Sequence, residues 1–390
     1  MLPVWVSVAS KPKFCPGQNG AEKKGDDTDM KRQMLGAVLV GIVCSSHTHR
    51  AFAQSSVDIA GLLGSGVSYS SNLGGHSSVY ENAGIQRPTI LVFRGTEDLG
   101  GETKAIFYLG TVFSLSSGSI LGAPGSLFSR ESYVGLSNRF GTLTFGEQRD
   151  FMFETLTIQQ YSGAFYQGLY GVHQGPFPTF GVPYNLKGSN DFDRLNGEAL
   201  NNTVKFRSAS FYGFTFGAMY GFGGVAGEFG NSSSNSFSVN YDFGSGGIGA
   251  AYTLAKSIDN GNAGIRNIGV GGRYKISSLQ FALLGTTSRN TATGAQIDAL
   301  DATLSYDISP FWNLATTYTY EGGNDVLDDV HANQVSSTLT YRLSKRTIVY
   351  ATFAWQRATG PGALARIDSL TSASSSNVQS TVALNIQHVF

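Results

Sequence analysis

Histidine, hydroxyl and acidic side chains are the groups in this sequence that could carry out catalysis. Four histidines follow residue 53, namely His76, His173, His331 and His388. A hydrolase would need one of them beside a nucleophilic serine, or paired with an aspartate that orients the ring. None stands at a spacing that repeats such an arrangement, and no Gly-x-Ser-x-Gly motif with a strand-to-helix context occurs. The sequence therefore predicts a protein that is not an enzyme.

Metal and cofactor chemistry has as little support in the sequence. The two cysteines, Cys15 and Cys44, both lie near the amino end. Asp328, Asp329 and His331 form an isolated group that falls short of a complete ligand set for a transition metal. We therefore predict no metal site and no cofactor.

The composition indicates a membrane protein of an unusual kind. The formal net charge of zero argues against a nucleic-acid partner, which would favour a basic surface. Charged residues make up 14% of the chain, against roughly 25% in a typical soluble domain. The longest apolar run, residues 34–44, is too short for the roughly 20 residues of a spanning helix. A closed β-barrel is the remaining way to cross a bilayer, because its backbone groups pair between strands.

Apolar and small polar residues alternate with period two along many segments. Residues 378–390 place Val382, Leu384 and Ile386 on one face, with Thr381, Ala383 and Asn385 on the other. Stretches 236–243, 300–307 and 312–321 repeat this pattern. Each stretch alone is also compatible with a soluble β-sandwich. Many repeats of about ten residues favour a transmembrane barrel.

The connections between these segments alternate between short and long. Short turns are predicted at 98–101, 138–141, 210–213, 244–247, 276–278, 308–310 and 343–345. Long polar loops are predicted at 71–87, 116–128, 150–199, 223–234, 257–264, 290–297, 323–331 and 358–377. Seven turns and eight loops join sixteen strands, the even number that bacterial outer-membrane barrels have. Aromatic residues also cluster beside the short turns, as expected at a membrane interface: Phe243, Tyr274, Tyr306, Phe311, Trp312, Tyr341 and Phe390.

The amino end has the features of an export signal. Met30, Lys31 and Arg32 form a basic start, an apolar run follows, and residues 51–53 fit the small-x-small rule for cleavage. We predict a signal peptide at 30–53, cleavage between Ala53 and Gln54, and a barrel at 54–390. Residues 1–29 fit neither, which suggests an upstream extension or a start at Met30. A core helix at 34–44 and a lipoprotein site at Cys44 are the alternatives.

Several segments resemble the general diffusion porins of Gram-negative bacteria, over about residues 56–390. The segments that carry the resemblance are 93–101, 133–137, 141–146, 201–207 and 385–390. It implies an all-β fold, a sixteen-stranded antiparallel transmembrane β-barrel whose long third loop folds into the lumen. It also implies a homotrimer in the outer membrane, in contact with lipid and lipopolysaccharide. Phe390 is similar to the family's signal to the barrel insertion machinery.

The resemblance also points to residues that line a constriction. Arg207 resembles a wall arginine of the family, whereas Ile90 and Glu147 stand where arginines are usual. Thr179, between Pro178 and Phe180, replaces an acid of the third loop. We therefore expect modest charge selectivity, since opposed charges across a narrow gap create the field that orients solutes. The other candidate lining charges are Lys205, Arg149, Asp150, Asp191, Asp193, Arg194 and Glu198.

The predicted function is passive diffusion of small hydrophilic solutes and ions through a water-filled channel. Two other uses of the same barrel stay open. The third-loop aromatics could form a surface for sugars, as in a substrate-preferring channel; these are Tyr161, Phe165, Tyr166, Tyr170, Phe177 and Phe180. Long external loops could also serve mainly as an adhesin or a phage receptor.

Overall fold

The fold is a single antiparallel sheet that closes on itself. A computed structural model describes residues 55–122, 125–181, 191–257 and 261–390. The predicted upstream extension and the predicted signal peptide lie outside these residues. The strands are β1 Ser56–Leu73, β2 His76–Asn82, β3 Ile90–Gly100, β4 Thr103–Phe113, β5 Ile120–Leu121, β6 Glu131–Asn138, β7 Gly141–Arg149, β8 Ala199–Ser208, β9 Phe214–Gly221, β10 Ser234–Asp242, β11 Gly246–Lys256, β12 Gly264–Ile276, β13 Leu279–Asn290, β14 Gln296–Asp307, β15 Trp312–Gly323, β16 His331–Arg342, β17 Thr347–Thr359 and β18 Val378–Val389.

These segments make sixteen barrel strands because two strands are interrupted. β2 and β3 both pair with β1, one along each half of its length. β5 and β6 both pair with β4 in the same way. β1 also pairs with β18, from Leu62 opposite Val389 to Ser70 opposite Thr381, and this pairing closes the sheet. The predicted sixteen-stranded antiparallel barrel is confirmed.

The two faces of each strand separate as the period-two pattern predicts. On β18, Val382, Leu384 and Ile386 are exposed, whereas Thr381 and Ala383 are fully buried. Leu300 and Leu304 on β14 are exposed in the same way. A sheet that exposes its apolar face and buries its small polar face is suited to lipid outside and a packed polar interior. No helix within the described residues is long and apolar enough to cross a bilayer.

The seven short turns occur where the alternation predicts them. The prediction of a first long loop at 71–87 is wrong. β1 continues to Leu73, Gly74 and Gly75 turn with positive φ, and β2 returns along β1 as far as Asn82. The irregular segment is 83–89, which separates β2 from β3. Polar residues at the end of this hairpin obscured its strand character in the sequence.

Within the described residues, four short helical segments lie outside the strands. Three belong to the third connection: a π-helical turn at Met152–Thr157, α1 at Gly163–Gln167 and a 3₁₀ turn at Gly168–Gly171. The fourth is a 3₁₀ turn at Asp325–Leu327.

Replacing Gly61 with alanine tests the closure of the barrel. A Cβ at Gly61 would lie 2.5 Å from Cζ of Phe390 and 2.7 Å from the carbonyl oxygen of Ile90. Overpacking of this kind costs about 1–3 kcal/mol, so G61A should unfold at a lower temperature in detergent, measured by heat-modifiable gel mobility. A Cβ at Gly285 meets no atom within 4 Å, so G285A is the matched control. Equal stability of the two variants would contradict the packing described.

Candidate functional site

The third connection, residues 150–198, is hydrogen-bonded to the inward-facing side chains of the wall. Near its start, Phe151 N donates to Ser236 Oγ at 3.1 Å, and Tyr161 Oη donates to Asn240 Oδ1 at 2.6 Å. Both partners lie on β10, on the face opposite its exposed Phe237 and Val239. These contacts hold the first part of the loop against the inner face of the barrel.

The middle of the loop continues along the wall to β14 and β15. Gly163 N, at the start of α1, donates to Asp301 Oδ2 at 2.8 Å. Thr317 Oγ1 donates to Gln167 Oε1 at 2.7 Å. Tyr170 Oη lies 3.1 Å from Ser68 Oγ on β1. The loop therefore follows the inner face from β10 to the strands where the barrel closes.

Segment 83–89 meets the loop from the opposite direction. Leu169 N donates to the carbonyl oxygen of Ile85 at 2.9 Å. Gly168 has a φ of +61°, and a Cβ there would collide with the same carbonyl oxygen. This contact requires glycine, because only glycine combines a left-handed backbone with so close an approach.

The aromatic residues of the loop are packed inside it. Tyr161, Tyr170, Phe177 and Phe180 are all fully buried, and Tyr166 is buried as well. Phe177 and Phe180 pack edge-on against Phe192, with ring centroids 6.0 Å apart in each pair. Phe165 is half-buried, and the packing of the other five rings does not favour the alternative of a sugar-binding aromatic surface.

An ion pair joins the two ends of the loop. Nε of Arg194 bonds the carboxylate of Asp150, and Nη2 of Arg194 donates to Glu198 O at 2.8 Å. Asp150 Oδ1 also accepts from Met152 N at 3.1 Å. Asp150 and Arg194 are both buried. These two candidate pore-lining charges therefore pair with one another and with the loop backbone.

The other two acids of the loop are buried as well. Asp193 Oδ2 accepts from Thr286 Oγ1 on β13 and faces the ring of His173 at 2.7 Å. Asp191 Oδ1 accepts from Asn196 N at 3.1 Å. Burial, then the charges of Glu198 and Asp193, hold the pKa of Asp191 well above its usual range. Both candidate acids are thus buried and contact groups of the loop and the wall.

Three further candidate pore-lining residues, on β8 and in the third loop, occupy different environments. Lys205 is buried and donates to Arg149 O at 2.7 Å and to Glu154 Oε1 at 2.5 Å. Arg207, two residues further on the same face of β8, is exposed and lines a recess with Glu154. Thr179 is exposed beside buried Phe180.

Glu147 does not point into the barrel. It stands opposite Ser132, on the face of β7 that carries Leu143 and Phe145. Leu143 and Phe145 are exposed on the outside of the wall. Glu147 stands at a β-bulge between Gly146 and Gln148, beyond which the odd-numbered Arg149 is buried.

Three arginines meet on the wall beside the start of the third loop. Burial, followed by the charge of Arg130, lowers the pKa of Arg87. Arg130 also acts electrostatically on Arg149. The guanidinium of Arg149 lies over the ring of Phe153, 4.3 Å from its centroid. Sequence reasoning proposed Arg149 but missed Arg87 and Arg130, which precede β3 and β6 in irregular segments without a periodic pattern.

An apolar cluster surrounds Ile90. Leu62, Ile90, Val92 and Tyr108 pack together on the inner face, with Tyr133 stacked on Tyr108 at 5.4 Å. Ile90 is therefore an apolar packing residue of this cluster.

Acidic and histidine residues do not form a metal site in the described part of the chain. His173 is the histidine most surrounded by acids, and both of its nitrogens face carboxylates.

A closed sixteen-stranded barrel with an apolar outer face and a charged interior defines an outer-membrane channel. The Gram-negative porin family model matches residues 37–361. The chain belongs to this family, and it forms an outer-membrane channel for passive diffusion of solutes.

Individual relatives agree with this assignment. Outer membrane porin protein 32 of Delftia acidovorans is 28% identical over 330 residues, which is 81% of this chain and 88% of the relative. The solved anion-selective porin from Comamonas acidovorans superposes with a TM-score of 0.72 at 21% identity, covering 86% of this chain and all of that one. The trimer form of OmpT from Vibrio cholerae has a TM-score of 0.61 at 15% identity, covering 86% and 99%.

Replacing Asp150 with asparagine tests the ion pair at the loop ends. Arg194 would stay buried without a carboxylate, and breaking a buried pair in this way costs about 3–5 kcal/mol. D150N should therefore be cut by trypsin within 149–198 faster than the wild-type protein, measured by limited proteolysis of the folded barrel. Asp328 is exposed, so D328N is the control. Equal resistance of D150N and D328N would show that the pair does not hold the loop.

Proposed function

We propose that the third loop, residues 150–198, narrows the channel and that the channel prefers anions. Arg87, Arg130 and Arg149 would set this preference, with Arg207 as a further basic residue. This proposal replaces the expectation of weak selectivity that followed from Ile90, Glu147 and Thr179.

Unpaired arginine donors carry the proposal. Nε and Nη1 of Arg130 and Nε of Arg149 are buried and have no hydrogen-bond acceptor among the described residues. Buried donors normally have partners, and guanidinium groups bind carboxylates and phosphates in a bidentate manner. Because these donors are buried, the two guanidinium groups would act on a passing anion through the field of their positive charge rather than through direct bonds from these atoms.

The charge balance of this wall supports the same preference. Glu131 and Glu154 are the acids that act on Arg149, and Glu154 already pairs with Lys205. Three acids of the loop itself, Asp150, Asp191 and Asp193, are buried, whereas Glu154 and Glu198 are half-buried. A cleft lined mainly by one sign of charge concentrates ions of the opposite sign. The similarity to a solved anion-selective porin agrees with this reading.

Transport without catalysis is part of the proposal. Both nitrogens of His173 lie within 3 Å of carboxylate oxygens, so this ring has no free nitrogen with which to activate a hydroxyl. Small hydrophilic solutes would cross down their gradients, selected by size at the third loop and by charge at the arginines.

Assembly and export complete the proposal. We infer a homotrimer, for which a trimeric relative of the same fold gives support. The barrel would contact outer-membrane lipid and lipopolysaccharide after removal of a signal peptide at 30–53. Phe390 pairs with Gly61 through both backbone groups, at 3.2 and 3.1 Å, and its ring is partly exposed. An accessible ring of this kind is suited to recognition by the barrel insertion machinery.

Neutralising the arginines tests the proposed selectivity. A charge about 8 Å from the ion path contributes about 0.5 kcal/mol per ion in water, so each arginine replaced by glutamine should lower the anion-to-cation permeability ratio about two- to five-fold. R130Q and R149Q are therefore expected to shift the reversal potential in a planar bilayer under a salt gradient.

Arg289 provides the matched control for this measurement. It lies on β13 and is exposed on the same face as Phe281 and Leu283, outside the barrel. R289Q removes the same charge and should leave the reversal potential unchanged. A wild-type channel with no anion preference, or equal shifts in R149Q and R289Q, would contradict the proposal.

A further inference from the structure

We propose that His173 is the positioning residue that holds the third loop on the wall, and that its bridge between Asp193 and Asp301 makes the width of the channel depend on pH. The inference rests on the proposed narrowing of the channel by residues 150–198.

The bridge joins two parts of the loop to the wall at one point. Nδ1 of His173 lies 2.7 Å from Oδ2 of Asp193, and Nε2 lies 2.9 Å from Oδ1 of Asp301. Asp193 belongs to the returning part of the loop, whereas Asp301 belongs to β14. Asp301 also accepts from Gly163 N, so the start of α1 depends on the same carboxylate. Loss of the bridge would therefore release the loop at two places.

The geometry requires a charged imidazole. Each of the two short nitrogen–oxygen contacts needs a proton, and a neutral imidazole has only one N–H to donate. An imidazolium donates from both nitrogens and balances one of the two carboxylates. Removing its second proton would set a nitrogen lone pair against carboxylate oxygen in a fully buried site.

The groups packed around His173 strengthen this dependence. Asp193 from the loop, Asp301 from β14 and Glu321 from β15 all face it, and Thr286 and Thr319 bond the two aspartates from β13 and β15. Asp191 lies beside Asp193, and its raised pKa favours its neutral form. The two aspartates that contact the ring thus outnumber the one imidazolium, and its loss leaves them unbalanced.

The direction of the pH effect follows from these charges. Burial by itself lowers the pKa of His173, but Asp301 and Asp193 outweigh it and raise the pKa well above its ordinary value of 6.5. A group with a raised pKa in the folded state gives its full stabilisation below the unfolded value and loses it as pH rises through the folded value. The loop is therefore held at neutral pH and released at alkaline pH.

The first experiment measures the protonation of the ring directly. Full-length protein labelled with ¹⁵N-histidine is titrated in detergent, and the His173 signals are those absent from H173Q. The expected result is an imidazolium that persists through neutral pH and deprotonates only in the alkaline range. Titration near pH 6.5, the value of a free histidine, would overturn the proposal.

The second experiment measures the channel. Single-channel conductance and current fluctuations are recorded from pH 6 to pH 10 for the wild-type protein, H173Q, D193N and H331Q. The conductance of the wild-type channel should change as His173 deprotonates. H173Q should show the conductance of the alkaline wild-type channel at every pH. In D193N the transition should move down by about 1–3 pH units, since an opposite charge within hydrogen-bonding distance shifts a pKa by that amount. H331Q, which alters a histidine outside the loop, should match the wild-type protein.

The results distinguish control of the channel by His173 from titration of another group and from the proposed anion preference. Asp368, between β17 and β18, is buried, and its pKa is raised to about 7, so a change near pH 7 that persists in H173Q belongs to a buried acid such as Asp368 or Glu321 and not to His173. If H173Q does not fold, D193N and the ring titration decide the question. Identical pH profiles of the wild-type protein and D193N would overturn the control of the channel by His173. Anion preference is judged independently, by the reversal potential.

Discussion

Closure of the backbone hydrogen bonds between β1 and β18 is the interaction on which the rest of this structure depends. Hydrocarbon offers no partner to an unpaired amide, so a sheet can span a bilayer only if it has no free edge. Once closed, the sheet has one face toward lipid and one toward the lumen. Apolar residues such as Val382 and Leu384 then lie outside, and Thr381 and Asn385 lie inside.

The same requirement shapes the segment inside the barrel. The third loop has polar backbone groups that must find partners, and it finds them in inward-facing residues such as Ser236, Asn240 and Asp301. Charged residues of the loop, above all Asp150 and Arg194, also pair within it. In the proposed function, the charge that acts on solutes therefore comes mainly from the wall, where Arg130 lies near Arg149.

The pore-lining residues were harder to predict than the fold, because their environment depends on strand register and on distant partners. Resemblance to a family suggested Glu147 as a lumen residue by its position in a motif, but the register of β7 directs it outward. It also suggested Ile90 as the site of a lost charge, and it did not point to Arg87 and Arg130, which lie near each other in irregular segments. His173 looked isolated among glycines and prolines, because its partners Asp193 and Asp301 follow it by 20 and 128 residues.

By itself the sequence determined the strand number, the seven short turns, the faces of the strands and the class of protein. Those features are local, because a period of two and a turn of two to four residues depend only on residues that are neighbours in the sequence. Only the tertiary structure decided which charges face solute and which are buried, and that His173 lies between two carboxylates. Contacts between a loop and a wall depend on closure of the whole barrel, and no local pattern encodes which distant side chains that closure brings together.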